Sequence, residues 1–444
     1  MTATGAHAMT NENEKPSSGS GSGSGSGLVV EPDHGNHDDR SPAPAPEFPK
    51  EGLFAWLQVA GAFVLNLNTW GLLNAFGVFQ TFYQLDLLRY ETPSNIGWIG
   101  STQAFLLFLV SLGAGPAFDR GYVAPLIWIG SFLLVLGMFL VSITSQYWQV
   151  FLTQSILMGV GFGCVYLPAP AIVSQYFHVR ASLAMGAAST GSAIGGIIYP
   201  IIFTQLQPRV GFGWATRVLG FILLATSLIP VILMKSKAPP GPTRSLMDRE
   251  AFRDGPFLLF ITGLFFGFTG FYIVLNYIQL FAIEHSIPTS IANNVLVIIN
   301  ASSLVGRLVG GFYADKIGSI HIQGLVTFIA AILTYALLAI RTAAGLVIYS
   351  ILFGFATGAF TGLPATGVVS LSADKSKIGT RLGMTLAYAG VGVLVGNPIA
   401  GAILGSNRNW TGLIAFCASI LVISGGTIVA SRIMKVGWRL DRKI

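Results

Sequence analysis

The sequence predicts an all-α membrane protein of twelve transmembrane helices arranged as two pseudo-symmetric six-helix halves, and three observations carry that prediction. Of its 444 residues 52% are hydrophobic and only 10% charged, with a mean hydropathy of +0.68; soluble domains carry about 25% charged residues. Apolar stretches of roughly 20 residues, each able to cross about 30 Å of hydrocarbon, recur twelve times. Finally, Gly115-x-x-x-Asp119-Arg120-Gly121 returns 196 residues later as Gly311-x-x-x-Asp315-Lys316-x-Gly318, each copy closing one apolar stretch and opening the next. Backbone groups inside a bilayer must bond internally, and these stretches are too long and continuous for barrel strands. They are therefore read as helices.

Residues 1–50 stand apart, with a Gly/Ser repeat from Ser18 to Gly27, a polar stretch from Asp33 to Arg40 and a Pro/Ala-rich run from Ser41 to Pro49. Such a segment buries little apolar surface and reads as a disordered cytosolic tail. It has no apolar core of the secretory-signal kind, so the first span is expected to direct insertion. The N-terminal half, 51–234, holds spans near 54–79, 96–118, 124–144, 148–173, 182–205 and 214–234. A cytosolic linker, 235–255, follows, where Pro239, Pro240, Gly241 and Pro242 precede mixed charges from Arg244 to Asp254. The C-terminal half, 256–435, holds spans near 256–282, 291–313, 320–340, 344–370, 382–404 and 410–434, and residues 436–444 form a second cytosolic tail.

Placing the N-terminus in the cytosol puts 19 of the 25 Lys and Arg on that side, among them Arg120, Arg180, Lys235, Lys237, Lys316, Lys375, Lys377 and the cluster from Arg432 to Lys443. Arg89, Arg209, Arg217, Arg341 and Arg408 fall outside and Arg307 within the membrane. By the positive-inside rule both termini are cytosolic. The net charge of +7 thus describes topology, and no basic-aromatic run on a soluble domain points to nucleic acid. Cys164 and Cys417 lie in apolar helices and read as packing residues.

The halves match at further places. Leu167-Pro168-Ala169 and Leu363-Pro364-Ala365 are again 196 apart, while Met185 and Gly191 correspond to Met384 and Gly390 at an offset of 199. Parallel repeats of this kind are related by an axis along the membrane normal, with a solute site near the midplane between them. Glycines recur in helix five (Gly186, Gly191, Gly195, Gly196) and helix eleven (Gly383, Gly390, Gly392, Gly396), where they let neighbouring backbones approach and rock.

Over about 51–435 the residues resemble the major facilitator superfamily and, within it, the fungal branch of the monocarboxylate transporter family. The resemblance rests on Glu51-Gly52-Leu53-Phe54-Ala55-Trp56 at the start of helix one, on the paired Asp-Arg/Lys loops, and on Tyr176-Phe177-His178-Val179-Arg180-Ala181-Ser182-Leu183-Ala184-Met185-Gly186 continuing to Gly191-Ser192. It implies alternating access, with Asp119, Arg120, Arg180, Asp315, Lys316 and Arg381 as charges that latch and release the cytosolic mouth; the alternative is that they are topology signals in solvated loops. It also implies that the Lys and Asp of proton-coupled family members are replaced here by Asn74 and Ser303.

Arg307 is the focal residue, because a charge within a span is expensive and is read as functional by default. Asn300 and Asn293 precede it by seven and fourteen residues and are expected to share its helical face, while Asn66, Trp70 and Asn74 at intervals of four form a second polar face in helix one. With Tyr166, Phe360 and Tyr388 as flanking aromatics, these residues are expected to line a water-filled cavity that holds an anionic or strongly hydrogen-bonding organic solute. The competing reading has the asparagines bonding helix to helix and Arg307 reaching to the cytosolic surface.

None of the 18 Asp and Glu lies mid-helix, which leaves proton coupling in doubt. No Walker-type loop, metal-ligand spacing or nucleophile motif is present, so no cofactor, metal or enzymatic activity is expected. The expected function is secondary transport of a small carboxylate or related metabolite, with a carrier for a larger fungal metabolite or vitamin, outward or inward, as the alternative, and a non-transporting sensor as a remote one. The expected partners are that solute and the bilayer. The plasma membrane is the expected location and the vacuolar membrane the alternative.

Overall fold

Bilayer thickness dictates helix length, and the computed structural model, which describes residues 52–177, 181–237, 245–372, 374 and 377–437, is built on that scale. Eleven helical runs in it are long and apolar enough to span a membrane. One of them, Ala181–Leu233, is two helices, because Gly211 sits at φ 78°, ψ 168°, a conformation that ends one helix and that glycine adopts without a Cβ clash. Twelve helices result: α1 Leu53–Leu87, α2 Pro93–Asp119, α3 Val123–Val141, α4 Tyr147–Tyr176, α5 181–210, α6 212–233, α7 Gly255–Glu284, α8 Val295–Ile317, α9 Ser319–Ala339, α10 Ala343–Leu371, α11 Ile378–Leu404 and α12 Trp410–Val436. All described residues belong to one compact unit. The tail 1–50, Glu51, His178 to Arg180, Pro239 to Pro242, Arg244, Lys375 and the basic residues after Gly437 lie outside the described residues.

The expected spans match these bounds closely, with two departures that matter. α1 runs to Leu87 rather than 79, and it contains two π turns, Leu67–Gly71 and Tyr83–Leu87. A π turn inserts a residue into the helical register, so Asn66, Trp70 and Asn74 do not form the straight stripe that intervals of four imply. α8 begins at Val295 rather than 291, because Thr289–Ala292 is a separate turn ending at Asn293. Asn293 therefore precedes α8 and is not on a shared helical face with Asn300 and Arg307.

The repeat leaves matching local marks. Gly121 and Gly318 both take positive φ, 89° and 108°, at the turns after α2 and α8. α4 and α10 both break and restart at a proline, Pro168 and Pro364, where the missing N–H falls at the first turn of the new segment. The face carrying Gly52, the α2–α3 turn, residues 245–254 and Val436 is called the linker face here, and the other the opposite face.

Small residues draw the helices together, as expected where lipid supplies no hydrophobic drive between them. Gly195 of α5 meets Gly71 of α1, and Gly392 of α11 meets Thr269 and the Phe265 carbonyl of α7. Gly354, Gly358 and Gly306 close the α8–α10 seam against Ile299, Ser303 and Phe355 backbone. Gly97 and Gly401 join α2 to α11 at the opposite face, and Gly390 packs on Phe108 deeper in. The helix-five and helix-eleven glycines thus divide between packing onto the nearest repeat partner and crossing between α1–α6 and α7–α12.

Buried polar side chains add directional ties. Asn68 is the clearest, donating to Ser227 Oγ (3.1 Å) and accepting from Tyr199 OH (2.8 Å) and Thr226 Oγ1 (3.0 Å), so α1, α5 and α6 meet on one amide. Asn66, two residues earlier, returns its Nδ2 only to the Ala62 carbonyl at 2.9 Å. Asn68→Leu is expected to cost about 1–2 kcal/mol and to lower the unfolding temperature in detergent, whereas Asn66→Leu leaves it nearly unchanged. Equal losses contradict this division of roles.

Candidate functional site

Arg307 is the thirteenth of the 23 residues of α8, near the middle of the helix, whereas the span expected at 291–313 would put it in the last third. The later start of α8 accounts for the difference. Its Nη1 donates to the Ser189 carbonyl of α5 at 3.1 Å and to Ser192 Oγ, while its Nε is buried and has no protein partner. The guanidinium is thus held on one edge and open on another. It reaches sideways to α5, not down to a membrane surface.

Seven residues earlier on the same face, Asn300 donates to the Gly196 carbonyl of α5 at 3.2 Å and to its own Leu296 carbonyl at 2.9 Å. Asn300 is fully buried and joins helix to helix, as the competing reading had it. Asn293 sits at the opposite-face turn and accepts from Gln279 Nε2 at 3.4 Å, remote from Arg307 along the chain's rise. Asn74 is half-buried in α1, and Ser303 returns its hydroxyl to the Asn300 carbonyl at 2.8 Å. Among the described residues no carboxylate pairs with Arg307.

The expected aromatics form something more ordered than a scatter around a cavity. Tyr166 lies edge-on to Trp70, 5.9 Å between centroids. From Trp70 the contacts pass to Phe108 (5.6 Å), to Phe268 (6.0 Å), to Phe360 (5.4 Å) and to Phe271 (4.7 Å). This row crosses from α4 through α1, α2, α7 and α10, with edge-to-face steps at its centre of the kind that aromatic quadrupoles favour. Phe360 is completely buried within it. Tyr388 stays outside, 40% exposed, its ring 5.1 Å from Phe265. Phe108 and Phe268 were not singled out, since nothing in sequence distinguishes them among 31 phenylalanines.

The charged residues at the linker face take partners that sequence spacing did not indicate. Arg381, at the start of α11, donates through Nε to Asp248 Oδ2 (2.9 Å) and through Nη1 to Asp254 Oδ2 (3.0 Å), and its guanidinium lies 5.2 Å over the Phe257 ring. Lys377 adds ion pairs to Glu250 at 2.5 Å and Asp248 at 3.7 Å, and Thr380 Oγ1 donates to the Ser245 carbonyl at 2.7 Å. The last linker residues are therefore clamped onto α11. Asp315 is exposed and makes no ion pair among the described residues, and Lys316 lies over the Phe312 ring at 4.0 Å. Asp119 is half-buried at the end of α2 and Arg120 exposed beside it, while Arg180 lies outside the described residues. The acids that hold Arg381 come from the linker, Asp248 and Asp254, whose mixed-charge stretch was the available signal.

With this geometry in view, the profile of the Major Facilitator Superfamily matches residues 58–384. The MFS-type transporter dbaD of Emericella nidulans is 42% identical over 84% of this chain and 85% of its own length. The aspyridones efflux protein apdF of the same organism is 35% identical, covering 88% and 80%. Among solved structures, a POT family transporter in complex with 5-aminolevulinic acid superposes with a TM-score of 0.68 at 15% identity, over 86% of this chain and 98% of that one. The last likeness shows the fold alone.

The clamp has a defined pH dependence. Burial pushes the Asp248 carboxyl up, but the Arg381 hydrogen bond, the Glu250 N–H and the charge of Lys377 outweigh it and hold the group below the ordinary carboxylate range. A carboxyl lowered on folding contributes stability that is complete above its ordinary pKa and lost only as pH falls through the lower folded value. Tryptic cleavage at Arg249 and Arg253 is thus expected to stay equally slow from about pH 8 to pH 5, and to accelerate several-fold in Arg381→Gln at every pH. Release of the linker between those pH values in the unaltered protein contradicts the assignment.

Proposed function

The chain belongs to the Major Facilitator Superfamily, and we propose that within it the protein is a secondary transporter that exports an aromatic or otherwise largely apolar organic metabolite bearing an anionic or strongly accepting group. One observation carries the reading: a buried guanidinium near the middle of the membrane, fixed on one edge by Ser189 and Ser192 and unpartnered at Nε, beside the Trp70–Tyr166 end of an aromatic row. An open charge-assisted donor is worth most to a solute where water is scarce. The aromatic faces suit rings, and a cation flanked by rings has no better match than an organic anion. The efflux role named for the Emericella nidulans relative favours the outward direction and a metabolite larger than lactate. A small carboxylate of the monocarboxylate-transporter kind is the second reading, favoured by the same Nε.

The disposition of the seams supports a reading of alternating access. At the opposite face α1 is shut on α7 and α2 on α11, with Gly77 seated against the Leu275 carbonyl and Gly97 against the Asn397 carbonyl. Toward the linker face Gly113 of α2 and Gly186 of α5 face open space. We read these two glycines as the mark of a carrier loading from the linker side, where Gly383 of α11 still packs on Leu112 of α2, and assign that side to the cytosol on the asymmetry of basic residues. We place the protein in the plasma membrane on the same outward reading. The Arg381 clamp holds the linker on α11 while α11 moves against α2, and Asp119, Arg120, Arg180, Asp315 and Lys316 are placed to meet when the mouth closes. With Asn74 and Ser303 where coupled relatives carry titratable groups, the transport cycle runs without a proton at Arg307.

Purified protein in vesicles, assayed with a panel of aromatic acids, pyridones, lactate and pyruvate, tests this. Arg307→Ala is expected to lose about 10- to 150-fold in transport efficiency, the removal of a charge-assisted bond worth roughly 1.5–3 kcal/mol, with Arg307→Lys between it and the unaltered protein because charge is kept and the planar fork lost. An imposed pH gradient should drive no accumulation beyond passive distribution of the neutral solute. Undiminished flux in Arg307→Ala at normal membrane levels moves the site elsewhere, and steep proton-driven accumulation assigns coupling to another group.

A further inference from the structure

Among the described residues, buried side-chain hydrogen-bonding atoms without protein partners occur singly at Ser101, Arg307, Gln323, Tyr349 and Arg408, but most gather in one place. Gln80 and Gln84 of α1 and Asn397 of α11 have both side-chain amide atoms buried and unbonded; on α7 the same holds for Asn276 Nδ2, Gln279 Oε1 and Tyr272 OH. Each of these residues is at least nine-tenths buried. All but Tyr272, which is in the middle third of α7, lie in the opposite-face third of their helices. Tyr272, Asn276 and Gln279, spaced four and three apart, fall on one side of α7; Gln80, three residues after Gly77, is on the side of α1 that Gly77 begins, and Gln84 follows within the π turn Tyr83–Leu87. A Cβ on Gly77 would lie 2.6 Å from the Leu275 carbonyl and 3.3 Å from Asn276 Cα, so those two sides face each other. Tyr277 brings in α11, with its OH 3.4 Å from the Asn397 carbonyl and 3.5 Å from that of Pro93.

We propose that the opposite-face ends of α1, α7 and α11 form a second solute site, which takes uncharged organic molecules carrying both hydroxyl and carbonyl groups as they leave the Arg307 site. A structural amide in hydrocarbon earns its place by bonding to a neighbour, as Asn68 and Asn300 do. Six polar side chains facing one seam, each with at least one buried atom that finds no such bond, are matched to something that the chain itself does not provide. The open atoms specify the ligand. They comprise amide nitrogens of Gln80, Gln84, Asn276 and Asn397 and amide oxygens of Gln80, Gln84, Gln279 and Asn397, so donors and acceptors are balanced. A carboxylate would satisfy only the donors. Of the nearby charges, Glu284 is engaged with Arg408 Nε at 3.1 Å and with Trp410 Nε1 at 2.8 Å, while Arg408 Nη1 is itself buried without a protein partner; the equal number of amide donors and acceptors is what matches the seam to an uncharged group. The site becomes reachable when α1 and α7 part, and affinity measured on the mixed population scales with the open fraction.

This inference rests on the reading of the protein as an exporter, and the test separates the two. Full-length protein in detergent is titrated with 7-hydroxycoumarin under mildly acid conditions, where the probe is neutral, and separately with benzoate. Gln80→Leu/Asn276→Leu is expected to weaken 7-hydroxycoumarin binding at least tenfold and leave benzoate binding intact, while Arg307→Ala does the reverse for benzoate. Gln80→Met, which is close in volume and has no amide, should also weaken the neutral probe, and serves if the double variant does not fold. Unchanged 7-hydroxycoumarin affinity in either folded variant, or no binding of it to the unaltered protein at millimolar concentration, overturns the second site. Benzoate binding that ignores Arg307→Ala instead overturns the anion reading and leaves the amide site standing.

Discussion

A polar group inside hydrocarbon must find a hydrogen-bond partner or cost several kcal/mol, and the architecture of this protein follows from how that constraint is met. The backbone meets it by forming twelve helices. Side chains meet it where helices cross: Asn68 gathers α1, α5 and α6, Asn300 joins α8 to α5, and Gln58 donates to the Leu233 carbonyl at 2.9 Å to tie α1 to the end of α6. Where the constraint is left unmet, at Arg307 Nε and at the amides of the opposite-face seam, packing offers no reason for the polar atom to be there. The proposed route of the solute runs between those two places.

Between the two exceptions lies the aromatic row from Tyr166 to Phe271. It crosses both groups of six helices and shuts the middle of the protein without any interlocking charge. Ring contacts of this sort contribute about 0.5–1.5 kcal/mol each beyond burial, enough to hold a closed state and weak enough to break in a transport cycle. The glycine seams serve the same end, since backbones in contact slide with little to unpick. The linker clamp is of another kind: Arg381 with two carboxylates is a buried, bidentate tie that keeps α11 and the linker moving as one body.

Much of the fold was legible in sequence because its determinants are local and repetitive. Apolar length located the helices, and the 196-residue repeat picked out both the glycine turns at Gly121 and Gly318 and the proline restarts at Pro168 and Pro364. The positions of site residues were less legible. Register arithmetic assumed unbroken α-helix, so the π turn at Leu67–Gly71 and the separate turn at Thr289–Ala292 displaced Trp70 from a straight polar stripe and Asn293 from α8. Arg307 was singled out as a charge within the membrane, but its bond to α5 and the location of Asn300 in a helix crossing depend on which helices meet, which spacing within one helix does not carry. Arg381 was read as a gate charge, and its linker partners Asp248 and Asp254 escaped notice because a mixed-charge loop looks alike whether solvated or docked.

The central claim is that one seam closes as the other opens around Arg307. Distances between spin labels measure it most directly, with one pair at Ser145 and Arg341 on the opposite face and another at Tyr122 and Ile317 on the linker face, in the full-length protein in lipid. Two populations are predicted in each pair, and the conditions that lengthen the opposite-face distance must shorten the linker-face distance in the same proportion of molecules. A single fixed distance in both pairs, or two distances that lengthen together, would contradict the account.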